Sequence, residues 1–314
     1  MTALRYSRRP VVRLSPPSVD QTFRALGTDV RVIADGFGAD RAVANARAEI
    51  LEYHTRLSRF LPTSELSALN ADPRSAAPAS ALLRSSVRAG LWAAERSEGL
   101  VDPCLLDALH AVGYVRSFAP AGAVAPPAGV ARPAAPDPAA RWRAIRVDDS
   151  ACVIARPPGL RLDLGGSGKG HVADLVARHF AGLPRWVVDC GGDIRVGGVR
   201  EVQVAHPLHV QPPARLQLHD CAVATSSVMS RAWRTSDGRR MHHLIDPGTG
   251  QPAWTGLLSA TALAPTTLHA ETLAKTALLR GADGARQVLA DCGGLIVHAC
   301  SEVEAIGPPR EVTR

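Results

Sequence analysis

The chain has 314 residues, of which 46% are hydrophobic and 4% aromatic. This length and apolar content suffice for one large domain or two modest ones, in which alanine and valine must do much of the packing. The formal net charge of +7 comes mostly from scattered arginines. Since no basic run with interleaved aromatics occurs, the charge argues against a nucleic-acid-binding module.

The N-terminal sequence and the cysteine usage both favour a cytoplasmic protein. Residues 1–20 contain Arg and Pro but no apolar stretch typical of a signal peptide, so we expect a flexible N-terminal arm and a cytoplasmic protein. The longest uncharged span, 247–270, is rich in Thr, Gly and Pro, which is not typical of a membrane span. The six cysteines are dispersed without C-x-x-C spacing, which favours small buried side chains over a metal cluster or a disulfide scaffold.

The predicted elements mix strands and helices without a regular order. In chain order they are a strand at 28–34, helices at 40–57 and 81–97, a strand at 144–147, a helix at 169–182, a strand at 186–189, a helix at 271–291 and a strand at 295–299. Residues 118–140 are almost entirely Ala, Pro, Gly and Val, which predicts a long loop. The irregular alternation, without internal repeats, favours an α+β fold, and we expect a single domain over 21–314.

A glycine-rich turn at 163–170, Asp-Leu-Gly-Gly-Ser-Gly-Lys-Gly, precedes one of the predicted helices. Glycines let the backbone approach a ligand, and a helix N-terminus offers free N–H groups to an anion. The turn is not a P-loop, because Asp163 and Gly170 stand where that motif needs Gly and Ser or Thr. It is not a dinucleotide fingerprint either, because His171 replaces the third glycine. A phosphate site and a plain strand-to-helix turn both remain open.

Four further segments carry candidate chemistry. Residues 189–193, Asp-Cys-Gly-Gly-Asp, end an apolar strand, where a simple tight turn is an equal alternative. Residues 224–227 offer three hydroxyls after a short strand. Residues 242–250 bring two imidazoles and a carboxylate together, which suits proton transfer but also fits an exposed hairpin with incidental histidines. Glu271 and Lys275 are four residues apart and share one face of the last long helix.

The ordered set of segments resembles the ApbE family of FAD:protein FMN transferases, from Phe23 to about Gly281. Each motif alone is weak, whereas the ordered set is specific. Beyond the segments above, the resemblance rests on Leu26-Gly-Thr28, Ser58-Arg-Phe60, Ser64-Glu-Leu-Ser67 with Asn70, and Asp102-Pro103 ahead of Gly113-Tyr114. It implies an ApbE-like, T-fold-related mixed sheet core with flanking helices and a smaller subdomain.

The resemblance also implies a reaction and its participants. FAD, the substrate, is cleaved at its pyrophosphate, FMN is joined by a phosphoester to a Thr or Ser of an acceptor flavoprotein, and AMP leaves. Neither a nucleic acid nor a membrane span is expected. His243 is the candidate for deprotonating the acceptor hydroxyl, with Asp246 as its orienter or hydrogen-bond partner. The implied FAD contacts are Leu26, Phe60, Leu100, Val101, Asp102, Asp163, Lys169, Thr225 and Leu244.

The candidate Mg²⁺ site is where the chain departs from the family. The resemblance implies that the Gly166 carbonyl faces the metal, and in many members an Asp and a Thr four residues later ligate it. Here those two positions hold Glu271 and Lys275, and an ammonium has no lone pair to offer a metal. Three interpretations remain: Lys275 supplies a fixed charge in place of part of the metal site, a shifted Mg²⁺ site uses Glu271, backbone oxygen and water, or the two residues form an ordinary salt bridge.

Two other functions compete with flavin transfer. An FAD pyrophosphatase would use the same site but give FMN to water, whereas an FAD-binding protein with an altered metal site would have lost catalysis. The dependence of AMP release on an acceptor separates the first alternative, and FAD that survives incubation with an acceptor would indicate the second.

Overall fold

A computed structural model describes residues 18–116, 130–209, 214–235 and 238–307, and the backbone of 312–313. None of the helices within these ranges is long and apolar enough to cross a bilayer. Short 3₁₀ turns occupy Arg141–Ala144 and Ala177–Phe180. The α-helices are α1 (Ala39–Leu57), α2 (Glu65–Ala71), α3 (Ala81–Arg96), α4 (Leu106–Ala111), α5 (Gly168–Val176) and α6 (Thr267–Leu289).

The strands within the described residues are β1 (Ser18–Ala25), β2 (Thr28–Asp35), β3 (Ala76–Pro78), β4 (Arg146–Asp148), β5 (Val153–Ala155), β6 (Arg185–Cys190), β7 (Asp193–Gly197), β8 (Val199–Val204), β9 (Ala214–His219), β10 (Ala222–Ser227), β11 (Ala232–Arg234), β12 (Arg240–His242), β13 (Ile245–Asp246), β14 (Gln251–Pro252), β15 (Leu257–Ala264), β16 (Gly294–His298), β17 (Val303–Ile306) and β18 (Val312–Thr313).

One antiparallel sheet of eight strands, in the order β1-β2-β6-β7-β10-β15-β16-β17, forms the centre of the fold. Every residue of β15 is buried, because α6 covers one face of the sheet and the small sheet β18-β9-β8 covers the other. The facing positions of β10, β15 and α6 are rich in alanine. Small side chains let the helix lie close to the sheet, which compensates for the scarcity of aromatic residues.

Helix α6 is interrupted near its middle. Gly281 has φ 71° and ψ −176°, a conformation that L residues rarely adopt, and the helical hydrogen bonds break there. The freed carbonyls are satisfied from outside the helix: Leu278 accepts from the Thr255 hydroxyl at 2.7 Å, and Leu279 accepts from the Ala134 N–H at 2.8 Å. The break therefore anchors the described part of the Pro/Ala-rich tract.

The α+β fold is confirmed, and most predicted elements appear with small shifts of their ends. The helix expected at 169–182 is α5 followed by a 3₁₀ turn. The helix expected at 271–291 begins at Thr267, because the Thr266 hydroxyl caps it by accepting from the His269 N–H at 3.4 Å. The strand expected at 144–147 starts later, since 141–144 forms a 3₁₀ turn before β4. The hydroxyl segment 224–227 lies within β10 instead of following a strand.

The two segments predicted to be irregular are only partly described. Residues 1–17 and 117–129 lie outside the described residues. Ser18 already begins β1, where it pairs with Asp35 and donates its hydroxyl to Oδ1 of that residue at 2.8 Å, so the end of the predicted 1–20 arm is a strand. Residues 130–140 form no regular element, as their composition predicts.

Candidate active site

A cleft of about 450 Å³ opens beside the turn between β1 and β2. Its walls come from five segments that are distant in sequence: residues 24–28, 57–61, Leu100–Asp102, the glycine turn at 163–169 and residues 243–245. Arg231 and Lys275 add cationic side chains to these walls. The volume lies in the range of small-molecule and cofactor sites in proteins.

The β1–β2 hairpin enters the cleft through a two-residue turn. Leu26 and Gly27 have φ values of 56° and 70°, the left-handed pair that matches the twist of antiparallel strands. A leucine is disfavoured in this conformation, yet its half-buried side chain lines the cleft. Backbone strain at such a position is typical of a functional site, where the side chain is needed at that place.

A buried ion pair holds the start of the glycine turn, and the close packing of α5 on α6 holds its end. The Asp163 carboxylate accepts from the Gly165 N–H at 2.6 Å and contacts the guanidinium of Arg59. A Cβ at Gly170 would lie 2.8 Å from both the Leu268 backbone and Oε2 of Glu271, so only glycine permits this approach of α5 to α6. The turn thus places the N-terminus of α5 at the floor of the cleft.

Arg59 organises one wall. Its Nη1 donates to the Tyr114 carbonyl at 2.9 Å, and its guanidinium carbon lies 4.2 Å from the ring centre of Phe60 and 4.7 Å from that of Tyr114. Tyr114 in turn stacks on Trp233, with ring centres 5.3 Å apart. Cation–π contacts of this kind are stabilising when desolvated. The buried Nη2 of Arg59 has no hydrogen-bond partner within the described part of the chain.

Four charged side chains, of which Lys169 is half-buried and the other three are buried, alternate in sign at the floor of the cleft. Lys169 contacts the carboxylate of Asp193, and its Nζ lies 3.6 Å from Oε1 of Glu271. The Lys275 ammonium donates to the same Oε1 at 2.8 Å, and the Gly170 N–H donates to Oε2 at 2.8 Å. We call Asp193, Lys169, Glu271 and Lys275 the charge row. Its formal charge is zero, and both ammoniums face the cleft while Glu271 is fully buried beneath them.

The pKa shifts in the charge row follow from burial and pairing. Burial raises the pKa of Asp193 to about 6, although Lys169 opposes the shift. Burial also disfavours the Glu271 carboxylate, but Lys275 and Lys169 outweigh it and lower the pKa of that group. For Lys169, burial is outweighed by Asp193 and Glu271, and its pKa is raised. At neutral pH both carboxylates are ionised and Lys169 is a cation.

His243 also lines the cleft. Burial lowers the pKa of its imidazole well below the usual value, and the positive charge of Arg231 lowers it further. The ring is therefore neutral near pH 7, which is the form that a general base requires, and the same shift makes it a weaker base than a free imidazole. Its Nδ1 is buried without a hydrogen-bond partner in the described ranges. The neighbouring His242 is also buried, which excludes the alternative of an exposed hairpin with incidental histidines.

Asp246 and Thr225 hold the scaffold and are not part of the cleft surface. Oδ1 of Asp246 accepts from the Ala135 N–H at 3.0 Å and the Gly248 N–H at 3.1 Å, so this carboxylate joins the Pro/Ala-rich tract to the β13–β14 hairpin. No contact among the described residues supports its predicted role as the partner of His243. The Thr225 hydroxyl bonds that of Thr261 across β10 and β15 at 2.9 Å, and its contact with FAD stays a prediction.

Most of the predicted site residues converge on the cleft. Glu271 lies beneath its surface, with Asp193, which the sequence reasoning omitted although it ends the predicted 189–193 turn. Arg59 and Arg231 were also missed; the signal for Arg59 was its position inside the Ser58–Phe60 motif. The predicted residues that line the cleft are Leu26, Phe60, Leu100, Val101, Asp102, Asp163, Gly166, Lys169, His243, Leu244 and Lys275.

Comparisons with known proteins agree with this geometry. A family model described as the ApbE family matches residues 26–297. A protein named FAD:protein FMN transferase from Treponema pallidum is 31% identical over 155 residues, which cover 44% of this chain and 42% of that protein. Its namesake from Escherichia coli K12 is 30% identical over 142 residues, covering 42% and 40%. The matches thus span about two fifths of the length of these relatives.

Solved structures with the same fold cover nearly the whole chain. The ApbE protein of Thermotoga maritima has a TM-score of 0.78 at 22% identity, covering 92% of this chain and 97% of that one. The flavin transferase ApbE of Vibrio cholerae has a TM-score of 0.72 at 20% identity, with coverage of 93% and 97%. At these identities the likeness establishes the fold.

Proposed function

The chain belongs to the ApbE family, and we propose on that premise that it is an FAD:protein FMN transferase. One observation carries the proposal: most of the segments that resemble the family's motifs, scattered along the sequence, line one cleft that presents both apolar side chains and cations. A flavin dinucleotide needs both, because its ring systems are apolar and its pyrophosphate is anionic.

Different side chains of the cleft suit different parts of FAD. Lys169, Lys275 and Arg231 can donate charge-assisted hydrogen bonds to the pyrophosphate oxygens. Leu26 and Phe60 offer apolar surface to an aromatic ring system. Leu100, Val101, Asp102 and Leu244 complete the implied contacts from the other walls, whereas Asp163 acts by holding Arg59 in place.

Transfer requires in-line attack at the phosphorus of the FMN half. The oxygen of the acceptor Thr or Ser forms the new P–O bond, the P–O bond to AMP breaks, and AMP leaves with the electron pair. His243 takes the hydroxyl proton, which its neutral imidazole can accept near pH 7. Lys169, Lys275 and Arg231 neutralise charge on the phosphoryl oxygens, which is the main protein contribution to such reactions.

The residues around the charge row do not fit a Mg²⁺ site. Magnesium requires oxygen ligands in octahedral geometry, but both oxygens of Glu271 already accept from N–H groups and the carboxylate of Asp193 is paired with Lys169. No group of three metal-binding side chains occurs in the parts of the chain that the structure describes. We therefore assign no catalytic step to a metal.

The acceptor is a flavoprotein that carries the modified Thr or Ser, and a cytoplasmic location stays a prediction. The alternatives, an FAD pyrophosphatase and an FAD-binding protein, are less favoured, because the family model and the curated relatives point to transfer to protein.

The proposal is tested by measuring the intact mass of a candidate acceptor after incubation with FAD and this protein. An increase equal to the mass of a phosphoester-linked FMN is expected, and an acceptor with Thr→Ala at the modified position should remain unchanged.

His243→Ala should slow transfer by ~10²–10⁴-fold, as expected for loss of a general base. His219→Ala, in which an exposed histidine is removed, is the matched control. An unmodified acceptor with the wild-type protein would contradict the proposal, and undiminished transfer by His243→Ala would remove His243 from its role.

A further inference from the structure

We infer that the Lys275 ammonium takes the place of a divalent cation in this chain, so that FAD is bound, and FMN transferred, without a metal. The inference rests on the proposed function, because it concerns the pyrophosphate of the same substrate. It selects, from the three interpretations that the sequence leaves open at Glu271 and Lys275, the one in which Lys275 supplies a fixed charge.

The oxygen atoms beneath the cleft are already engaged by N–H donors. Glu271 would be the natural oxygen ligand, yet its Oε2 accepts from the Gly170 N–H and its Oε1 accepts from Lys275, both at 2.8 Å. Lys169 approaches the same Oε1 to 3.6 Å. A metal would have to displace two ammoniums from a fully buried carboxylate and then remain beside them. Like charges so close in a site of low dielectric repel strongly.

The charges in the row balance without a metal. With Lys275 in place the charge row is neutral, since two ammoniums match two carboxylates. A dication added to the row in the absence of FAD would leave two uncompensated positive charges. An ordinary surface i,i+4 salt bridge does not describe this pair either, because the side chain of Lys275 is 10% exposed and that of Glu271 is 0% exposed. Burying such a pair costs desolvation free energy, which is offset only by good geometry and by further hydrogen bonds such as the one from the Gly170 N–H.

The Lys275 ammonium faces the cleft. Lys275 lines the cleft together with Lys169 and Arg231, so one side of its Nζ is held by Glu271 while the other is available to a ligand. An ammonium has three donors and can bond a carboxylate and phosphate oxygens at once. A metal ion held by a carboxylate would present the same arrangement, a cation between protein and pyrophosphate. Lys275 supplies it as a fixed part of helix α6.

The test is FAD binding by the full-length protein, followed by flavin fluorescence, in EDTA and in Mg²⁺. For the wild type the two dissociation constants should agree within about twofold, and Mn²⁺ titrated in the absence of FAD should show no stoichiometric bound species by electron paramagnetic resonance. FAD binding weakened more than ~10-fold by EDTA, or one tightly bound Mn²⁺ per chain, overturns the inference. These measurements need no variant and so do not depend on a variant's folding.

Two variants sharpen the result. Lys275→Thr replaces the ammonium by a metal-compatible oxygen, so FAD binding in EDTA should weaken by ~10-fold or more, as for loss of a charged hydrogen bond, and Mg²⁺ should restore part of it. Lys275→Arg keeps the charge and should stay closer to the wild type in EDTA. Unchanged binding by Lys275→Thr in EDTA, or the reverse order of the two variants, contradicts the inference.

The outcome is separable from that of the proposed function. Transfer of FMN that requires Mg²⁺ would refute the metal-free inference and leave the transferase standing. Metal-independent FAD binding without transfer to any acceptor would refute the transferase and leave the role of Lys275 in FAD binding standing.

Discussion

Nζ of Lys275 lies 2.8 Å from Oε1 of Glu271, one turn earlier on the same helix, and both side chains are buried. The pair belongs to an alternating row of charges whose other half, Lys169 with Asp193, comes from a helix start and a strand start. Each carboxylate therefore compensates an ammonium at the floor of the cleft. Stability and ligand binding depend on the same four side chains.

We expect strong energetic coupling between Glu271 and Lys275. Glu271→Gln or Lys275→Met alone leaves a buried charge uncompensated and should lower the free energy of unfolding by ~3–5 kcal/mol. The double variant removes both charges, so its loss should be smaller than the sum of the two by at least ~2 kcal/mol. Urea denaturation of the four proteins measures this cycle. Additive losses would show that the contact carries no coupling.

The leucine at position 26 should lower the stability of the fold and strengthen FAD binding. Leu26→Asn places a residue that tolerates left-handed backbone before Gly27, which should raise the free energy of unfolding by ~1 kcal/mol. The loss of apolar surface in the cleft should weaken FAD binding about fivefold, from roughly 1 kcal/mol of lost burial. Leu26→Met keeps both the strain and the apolar surface, and it should resemble the wild type. Thermal melting and FAD titration measure the two effects; a destabilised Leu26→Asn variant would disprove the strain.

Asp246 should act as a structural acceptor and not as a charged partner of His243. Asp246→Asn keeps an oxygen for the Ala135 and Gly248 N–H groups, so stability and transfer should stay near wild type. Asp246→Ala leaves those groups unpaired, which should cost ~1–3 kcal/mol. The free energy of unfolding and the transfer rate are measured for both variants. A large loss of transfer in Asp246→Asn, with stability intact, would instead support the catalytic role that the sequence suggests.

Two buried histidines should make the fold sensitive to mild acid. Burial lowers the pKa of His242 from 6.5 to about 4, so between these values the unfolded chain binds a proton that the folded chain does not. Stability contributed by this group is complete above pH 6.5 and is lost as the pH falls toward 4, by up to ~1.4 kcal/mol per pH unit. His243, whose pKa is also lowered, adds a loss of the same sign.

His242→Gln isolates that contribution, because glutamine does not titrate but can still accept from the Leu244 N–H, which His242 Nδ1 does now. Unfolding free energies at several pH values should fall less steeply in the variant than in the wild type. An exposed control, His219→Gln, should follow the wild-type slope. Parallel curves for His242→Gln and the wild type would mean that His242 takes up its proton in the folded state.

The sequence predicts the members of the cleft better than their partners. The motif residues are recognisable because glycine turns and hydroxyl or imidazole runs are local patterns, and most of them line the cleft. Pairing is not local: Arg59 meets Asp163 and Lys169 meets Asp193 only after the sheet and helices have assembled. Nothing in the spacing around Asp246 shows that its carboxylate would be taken up by residues of a distant Pro/Ala-rich tract.

The scaffold shows the same limit. Helices with a strong 3.6-residue period, such as α1 and α3, were predictable to within one residue at either end. The strand β15 was not, because an apolar segment buried on both faces lacks a distinctive period. The strands β8 and β9 were also not predicted, although β9 alternates buried and exposed residues. The alanine-rich contact between β15 and α6 is visible only in three dimensions.

The central claim, transfer of FMN to protein, is tested most directly by following AMP and acceptor-bound FMN in one reaction. We expect AMP and FMN-protein to appear in equal amounts, neither to appear at a significant rate without the acceptor hydroxyl, and both to slow together in His243→Ala. AMP released without FMN-protein would identify a pyrophosphatase, and intact FAD throughout would identify a binding protein. Either result would contradict the transfer of FMN to protein.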